Sequence, residues 1–172
     1  MLKPVDVAVM LYLLIHQRES FAQMSAMLGI SKSTAHDAVV RLERAGLVHR
    51  LAQEGPRVAH GPALEFLLFG VPYAFAAETV PRARGVLTGL AAPGASVDAE
   101  TPEGLLMVWP SRLGNIPGIG IKPLVPAAPD TALRDPVLYR LLALVDALRM
   151  GDVREREYAR RAMRAAFDGA RP

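Results

Sequence analysis

The sequence predicts an α+β protein made of three consecutive parts. Residues 1–62 contain three segments of helical periodicity followed by two short strand-like runs. Residues 63–129 hold most of the 14 prolines and 14 glycines, which exclude long helices there. Residues 130–172 return to helical periodicity. With 51% hydrophobic residues, the chain has enough apolar side chains to build a core.

The first two helices are predicted by their ends and by their apolar spacing. Pro4 suits the first turn of a helix, and apolar residues then recur at helical spacing from Val5 to Ile15. Ser20 is a favourable N-cap for a second, shorter helix, because its hydroxyl can accept a bond from a free backbone N–H. Gly29 ends that helix, since glycine adopts the left-handed conformation without steric cost.

A third helix and a hairpin complete the first part. Ser31 is the N-cap of a helix that runs from Lys32 to about Ala45, and Gly46 ends it. Two strands follow, at Leu47–Leu51 and Arg57–His60, around a Gly-Pro-containing turn.

The middle part is predicted to be an irregular but packed segment. Pro62–Phe69 has the spacing of a short helix, and the prolines after Gly70 prevent further long helices. Leu105–Trp109 and Ile119–Leu124 are predicted strands, linked through Gly114-Asn115. We expect packing rather than a flexible linker, because this part contains large aromatic side chains that require burial: Phe69, Tyr73, Phe75 and Trp109.

The last part is predicted to be a helical hairpin. Asp135-Pro136 provides an N-cap followed by proline at the first helical position. The helix after it has a wide apolar face, which includes Leu138, Leu142 and Val145. Gly151-Asp152 ends this helix and caps a second one, from Val153 to about Phe167.

Residues 20–48, SFAQMSAMLGISKSTAHDAVVRLERAGLV, resemble a known DNA-binding motif. A short helix leads to Gly29-Ile30-Ser31, a Lys-Ser-Thr sequence enters the next helix, and Ala45-Gly46-Leu47-Val48 leads into the hairpin. In these features the segment is similar to the winged helix-turn-helix of bacterial transcriptional regulators of the MarR-like kind. The resemblance covers about the first third of the chain. It implies a DNA-binding domain at residues 1–62, followed at residues 63–172 by the middle segment and the helical hairpin as a partner or dimerisation region.

The candidate DNA-binding residues follow from the way such a motif docks. The second helix of the motif lies in the major groove with its N-terminal residues at the base edges, and the wing reaches the backbone or the minor groove. A helix N-terminus also favours a phosphate, and an arginine can bind a phosphate or a guanine edge. The candidates are Ser31, Lys32, Ser33, Thr34, His36, Asp37 and Arg41 on the third helix, and Arg50, Gln53 and Arg57 in the wing.

Two residues depart from the usual pattern of the motif. Ser25 stands where alanine is usual, and we expect its hydroxyl to bond back to its own helix. Asp37 stands where a basic or neutral residue is usual. An acid near phosphates is repelled unless it accepts a hydrogen bond from a cytosine amine.

Several functional classes lack the residues that they need. The chain has no cysteine, which removes disulfides, thiol catalysis and thiolate metal sites. Its four histidines have no metal-ligand spacing, and no catalytic constellation is present. No apolar run reaches the roughly 20 residues of a membrane span. We therefore expect a cytoplasmic protein that is not an enzyme, needs no cofactor and has no membrane partner.

The function that the sequence predicts is sequence-specific binding of double-stranded DNA by a transcriptional regulator. The net charge of +3 permits an anionic partner without demanding one. The alternative is a protein-binding regulator, such as an antitoxin or adaptor, that uses the winged helix as a scaffold. We also expect a homodimer, because specific sites are commonly read by two-fold dimers. The wide apolar face of the first C-terminal helix must meet either the middle segment or another subunit.

Overall fold

The computed structural model describes residues 1–17, 19–51, 55–93 and 106–170. The first part folds into three helices and a two-stranded antiparallel hairpin. Its elements are α1 (Pro4–Ile15), α2 (Phe21–Leu28), α3 (Lys32–Arg44), β1 (Val48–Leu51) and β2 (Gly55–Val58). Of the residues described, no helix combines the length and the apolar character needed to cross a membrane.

The predicted caps of α2 and α3 are present. The Ser20 hydroxyl accepts the backbone N–H of Gln23 at 3.3 Å, and the Ser31 hydroxyl accepts that of Thr34 at 3.0 Å. Gly29 follows α2 with φ 63°, in the left-handed region that favours glycine. A Cβ at this position would also stand 2.6 Å from the Cβ of Ala127, so glycine allows close approach here as well.

The helix after the wing is longer than predicted. It begins as α4 (His60–Glu65), widens into a π-turn at Phe66–Gly70 and continues as α5 (Val71–Ala74). The expectation that no long helix passes Pro72 was therefore wrong. In the π-turn, backbone hydrogen bonds join residues five apart, and the Val71 N–H donates to the Phe66 carbonyl. The next residue is Pro72, which has no N–H to donate.

The described remainder of the middle segment contains a three-stranded barrel, where the sequence predicted irregular structure. Its strands are β3 (Thr79–Leu87), β4 (Leu106–Pro110) and β5 (Ile116–Ile121). Each strand pairs with the other two, so the sheet closes. The two predicted strands are present with shifted ends, but they pair in parallel, and β3, which the sequence analysis missed, pairs antiparallel with both.

Two glycines allow this small barrel to close. Gly85 in β3 pairs with Pro110 on one side and with Ile116 on the other, so the loop at residues 111–115 crosses directly over it. A Cβ on Gly85 would lie 1.9 Å from the Trp109 carbonyl oxygen, and one on Gly114 would lie 2.1 Å from the Gly85 carbonyl oxygen. Both contacts are too short for any side chain, which confines these positions to glycine.

Three helices follow the barrel: α6 (Ala128–Arg134), α7 (Pro136–Met150) and α8 (Val153–Gly169). The predicted caps are again present, since the Asp135 carboxylate accepts the N–H groups of Val137 and Leu138, and Asp152 accepts that of Glu155. α7 and α8 pack against each other at the place of the predicted hairpin, whereas α6 was not predicted.

Two helices, α1 and α7, form the centre of the hydrophobic core. α1 is buried continuously from Asp6 to Leu14, and α7 from Leu141 to Leu148. α7 packs against α1, α5, α6, α8 and the short 3₁₀ turn at Gly89–Ala91. The apolar face of α7 is therefore covered within the chain. Phe69 and Tyr73, which we expected to be buried, are 52% and 84% exposed.

A buried carboxylate ties the barrel to α7. Asp146 is 1% exposed and accepts hydrogen bonds from the Thr88 hydroxyl at 2.8 Å, the Trp109 indole N–H at 2.6 Å and the Arg149 guanidinium at 2.7 Å. Arg149 also donates to the Phe75 carbonyl at 2.7 Å. Burial raises the pKa of Asp146, although Arg149 and the hydrogen bonds oppose this effect. The network links four segments that are distant in sequence.

We predict that Asp146→Ala lowers the free energy of unfolding by about 3–5 kcal/mol, because it leaves the largely buried guanidinium of Arg149 without its counter-charge. Chemical denaturation monitored by the fluorescence of Trp109 measures this loss. Asp130→Ala is the matched control. It removes an acid from an exposed i,i+4 pair with Arg134 and should cost about 0.5 kcal/mol or less. Equal losses in the two variants would contradict a special role for Asp146.

Candidate nucleic-acid interface

α3 has one face in the core and one in solvent. Its buried face consists of Ala35, Ala38, Val39 and Leu42, at the helical spacing that the sequence predicts. Its exposed face starts at the N-terminus and continues for three turns. The exposed candidate residues on it are Ser31, Lys32, Ser33, His36 and Asp37, and Thr34 is half-buried.

The first turn of α3 presents hydroxyl groups and one cation to solvent. The Ser31 hydroxyl lies 2.9 Å from that of Ser33 and 2.8 Å from that of Thr34. Lys32 makes no ion pair with any residue in the part of the chain that the structure describes. This cluster of donors at a helix N-terminus is the arrangement that binds a phosphate.

His36 and Asp37 lie one turn further along the same face. The His36 Nδ1 atom is 3.8 Å from the Asp37 carboxylate, and its ring lies 5.8 Å from the ring of Phe21 on α2. Both side chains are more than half exposed. They are therefore placed to meet base edges if α3 enters a major groove.

Arg41 is committed to a partner inside the protein. Its Nε and Nη2 atoms donate to the two carboxylate oxygens of Asp6 on α1, at 2.9 and 2.6 Å. Asp6 is 1% exposed, and its hydrogen bond raises the pKa of Arg41 above its ordinary value. We interpret Arg41 as the residue that fixes α3 on α1, and we no longer assign it to the DNA surface.

A shallow groove separates α3 from the wing. Its sides carry His36 and Glu43 from α3, and His49 and Arg50 from β1. Arg50 is half-exposed, and its Nε atom donates to Glu43 at 2.9 Å. This ion pair, which the sequence analysis did not predict, joins the wing to the last turn of α3.

The other two wing candidates differ in what the structure says of them. Arg57 lies opposite His49 in the hairpin, and its side chain donates to Gln17, just beyond the end of α1. The guanidinium is thus turned toward the body of the protein. Gln53 lies outside the described residues.

α6 packs against α2 of the helix-turn-helix and binds the end of that helix. The Thr131 hydroxyl donates to the Met27 carbonyl at 3.0 Å, and the Arg134 guanidinium donates to the Ala26 and Met27 carbonyls at 3.2 and 3.1 Å. These two carbonyls belong to the last turn of α2, where a helix has no further N–H group of its own to offer them. Ser25, in the same helix, donates to the Phe21 carbonyl at 2.6 Å, as predicted.

The structure thus brings one group of candidates together and separates another. The residues from Ser31 to Asp37 share the exposed face of α3, and Arg50 stands across the groove from it. Arg41 and Arg57 are turned to partners in the fold. Sequence reasoning missed Asp6, Glu43 and the exposed Arg44; an acid within the apolar run of α1 was the signal for a buried ion pair.

Comparison with known families identifies the first quarter of the chain. Residues 7–52 match the model of the IclR helix-turn-helix domain. The match supports a DNA-binding transcription regulator of the bacterial helix-turn-helix type, which is a regulator rather than an enzyme, and it does not support the MarR kind specifically. Neither curated proteins nor solved structures provide a significant match to the chain.

No cluster of three or more metal-ligating side chains occurs among the residues that the structure describes. His49 lies in the groove beside α3, and His60 packs edge-on against Phe167 at 5.6 Å, so these two histidines have different environments.

We predict that Asp6→Asn lowers the free energy of unfolding by about 1.5–3 kcal/mol, because the amide cannot replace two charge-assisted hydrogen bonds to Arg41. DNA affinity should also fall, since α3 loses an anchor, even though the substitution removes a negative charge. Denaturant unfolding and fluorescence anisotropy with a labelled duplex measure the two effects.

Asp37→Asn is the control for charge. It removes an acid from the exposed face of α3 and should change stability by less than about 0.5 kcal/mol. If Asp6→Asn instead tightened DNA binding and steepened its salt dependence, Arg41 would be a phosphate contact and its structural assignment would be wrong.

Proposed function

We propose that the protein is a transcriptional regulator that binds double-stranded DNA in a sequence-specific manner through α3 and the wing. The observation that carries the proposal is the first turn of α3, where Ser31, Lys32 and Ser33 are exposed at the helix N-terminus. The match of residues 7–52 to a DNA-binding domain supports the same function. A regulator of this kind works in the cytoplasm, where the DNA is.

Each group of residues has a distinct role in this proposal. The hydroxyls of Ser31, Ser33 and Thr34 and the ammonium of Lys32 bind phosphates and set the position of the helix in the major groove. His36 and Asp37 read base edges, and Asp37 accepts from a cytosine amine, which is the contact that offsets its repulsion by phosphates.

The wing contributes contacts that depend little on sequence. Arg50 exchanges its contact with Glu43 for the DNA backbone on one side of the groove. Gln53, which lies in sequence between β1 and β2, makes a second backbone contact. Arg57 holds the base of the wing against α1 through Gln17. A protein-binding regulator was the alternative, and the helix-turn-helix match favours DNA over it.

We predict that Lys32→Ala weakens binding to duplex DNA of any sequence and lowers the slope of log K against log salt by about 0.9, the value for one lost phosphate contact. Anisotropy titrations at several KCl concentrations give the slope. Arg154→Ala, which removes one exposed cation from α8, should leave the slope unchanged. An unchanged slope in folded Lys32→Ala would remove the first turn of α3 from the interface.

We further propose that two copies of the chain bind each operator, because one winged helix makes few base contacts and half-sites one helical turn apart suit a two-fold dimer. The proposal rests on this argument alone, since the apolar face of α7 is covered within the chain. Light scattering at micromolar concentration should give a dimer on the operator. A monomer both free and bound to DNA would refute it.

A further inference from the structure

The barrel carries a group of cations with no acid among them. The strands β3, β4 and β5 and the loop at residues 111–115 contain Arg82, Arg84 and Arg112 and not one aspartate or glutamate. Lys122, directly after β5, is paired with Glu78 at 2.9 Å. The three arginines, which we call the barrel arginines, are all exposed.

The fold places the barrel arginines close together. Arg82 and Arg84 are two residues apart in β3, and the Ser111 N–H donates to the Arg84 carbonyl at 3.2 Å, which brings Arg112 beside them. Arg84 donates to the backbone and side-chain oxygens of Asn115, which are neutral. Arg82 and Arg112 make no ion pair with any residue in the described ranges. Within the described ranges, no acid therefore neutralises these three charges.

The backbone holds Arg82 in a conformation that costs free energy. Its φ is 33°, which is unusual for a residue other than glycine, and it lies where the register between β3 and β5 shifts, between Val80 and Ala83. A bulge of this kind re-aims a side chain relative to its neighbours. At this position it sets an arginine on the surface of the barrel.

α8 provides a useful contrast, because it contains five arginines but also acids, and one of those acids pairs with two of the arginines. Arg160 and Arg161 lie 3.7 and 4.0 Å from the carboxylate of Glu157, and Arg160 also stands over the ring of Phe69. Glu155 and Glu157 stand between its arginines in sequence, and Asp152 and Asp168 lie on either side of them. The number of arginines alone therefore does not identify a basic surface, and the described strands and loop of the barrel differ from α8 in containing no acid.

We propose that the barrel arginines bind phosphates of the same DNA duplex that α3 engages, as a second and sequence-independent contact. The proposal rests on the DNA-binding function proposed above. Planar guanidinium groups suit phosphate oxygens, and contacts to phosphate and sugar make up half or more of a protein–DNA interface.

The barrel is also coupled to the helix-turn-helix. α6 packs against β3 and β4 on one side, and Thr131 and Arg134 bind the end of α2 on the other. The first turn of α3 and the barrel therefore belong to one connected body. A duplex that extends beyond the half-site has the regular array of phosphates that a fixed group of cations requires.

The test compares three variants with the wild-type chain on a labelled duplex of about 30 bp of mixed sequence, which reports phosphate contacts without a known operator. Arg82→Gln, Arg84→Gln and Arg112→Gln combined should lower the salt slope by about 2–3 and weaken binding at low salt by at least about tenfold. The same three positions changed to Lys should retain most of the slope. Arg154→Gln, Arg161→Gln and Arg164→Gln combined remove an equal charge from α8 and should lower the slope by less than about 1.

A further variant separates loss of contact from loss of fold. Arg82→Gly removes the charge and relieves the positive φ, so it should unfold at a temperature no lower than the wild type and still reduce the slope by about 0.9.

The outcomes distinguish this inference from the proposed function. If the wild-type chain does not bind the duplex, both fail. If Lys32→Ala lowers the slope and the barrel variant does not, the function stands and the inference is overturned. In that case the barrel arginines serve a different anionic partner, such as an acidic protein surface. Equal losses in the barrel and α8 variants would show a general effect of net charge and would also overturn the inference.

Discussion

The ion pair between Asp6 and Arg41 is the contact on which the position of α3 depends. A carboxylate that is 1% exposed inside an apolar helix is costly unless it is paired and hydrogen-bonded, and Arg41 supplies both its charge and two N–H groups. Because α1 is also packed against α7, the pair fixes α3 to the centre of the core and not to a neighbouring loop. A pair of this kind adds little net stability, but it permits only one orientation of the helix, and a DNA-reading surface requires a fixed orientation.

Asp146 provides a comparable anchor in α7, the second central helix. It joins Arg149 on its own helix to Thr88 and Trp109 next to and within the barrel. Nearby, the Tyr139 hydroxyl donates to the Leu87 carbonyl, and burial raises the pKa of Tyr139 to about 12. The two central helices thus each carry one buried acid, and each acid orients an outlying unit: α3 in one case and the barrel in the other.

Capping residues predicted the ends of the helices correctly, whereas contacts between residues distant in sequence could not be predicted from them. Ser20, Gly29 and Ser31 act through bonds to backbone groups a few residues away, so the sequence alone identified their caps. The ion pair of Arg41 spans 35 positions in the chain, and no periodicity reveals it. β3 was missed because Pro81 and Gly85 lie within it, and its glycine is explained only by the loop that crosses it. The MarR-like kinship stays a prediction, whereas the helix-turn-helix that it implied is confirmed at the level of the domain.

The distribution of charge shows why a count of charged residues along the sequence does not describe the charge of each surface. Residues 63–129 contain four basic and five acidic residues, which suggests a neutral segment. The strands β3, β4 and β5 and the loop at residues 111–115 hold three of those basic residues and none of those acids. In α8, by contrast, helical spacing of three and four residues brings Arg160 and Arg161 back to Glu157 of the same helix. A count of arginines ranks α8 above the barrel, whereas the described barrel strands present their arginines without an acid in the same strands. The electrostatic field that a DNA duplex meets is therefore a property of strand pairing as much as of composition.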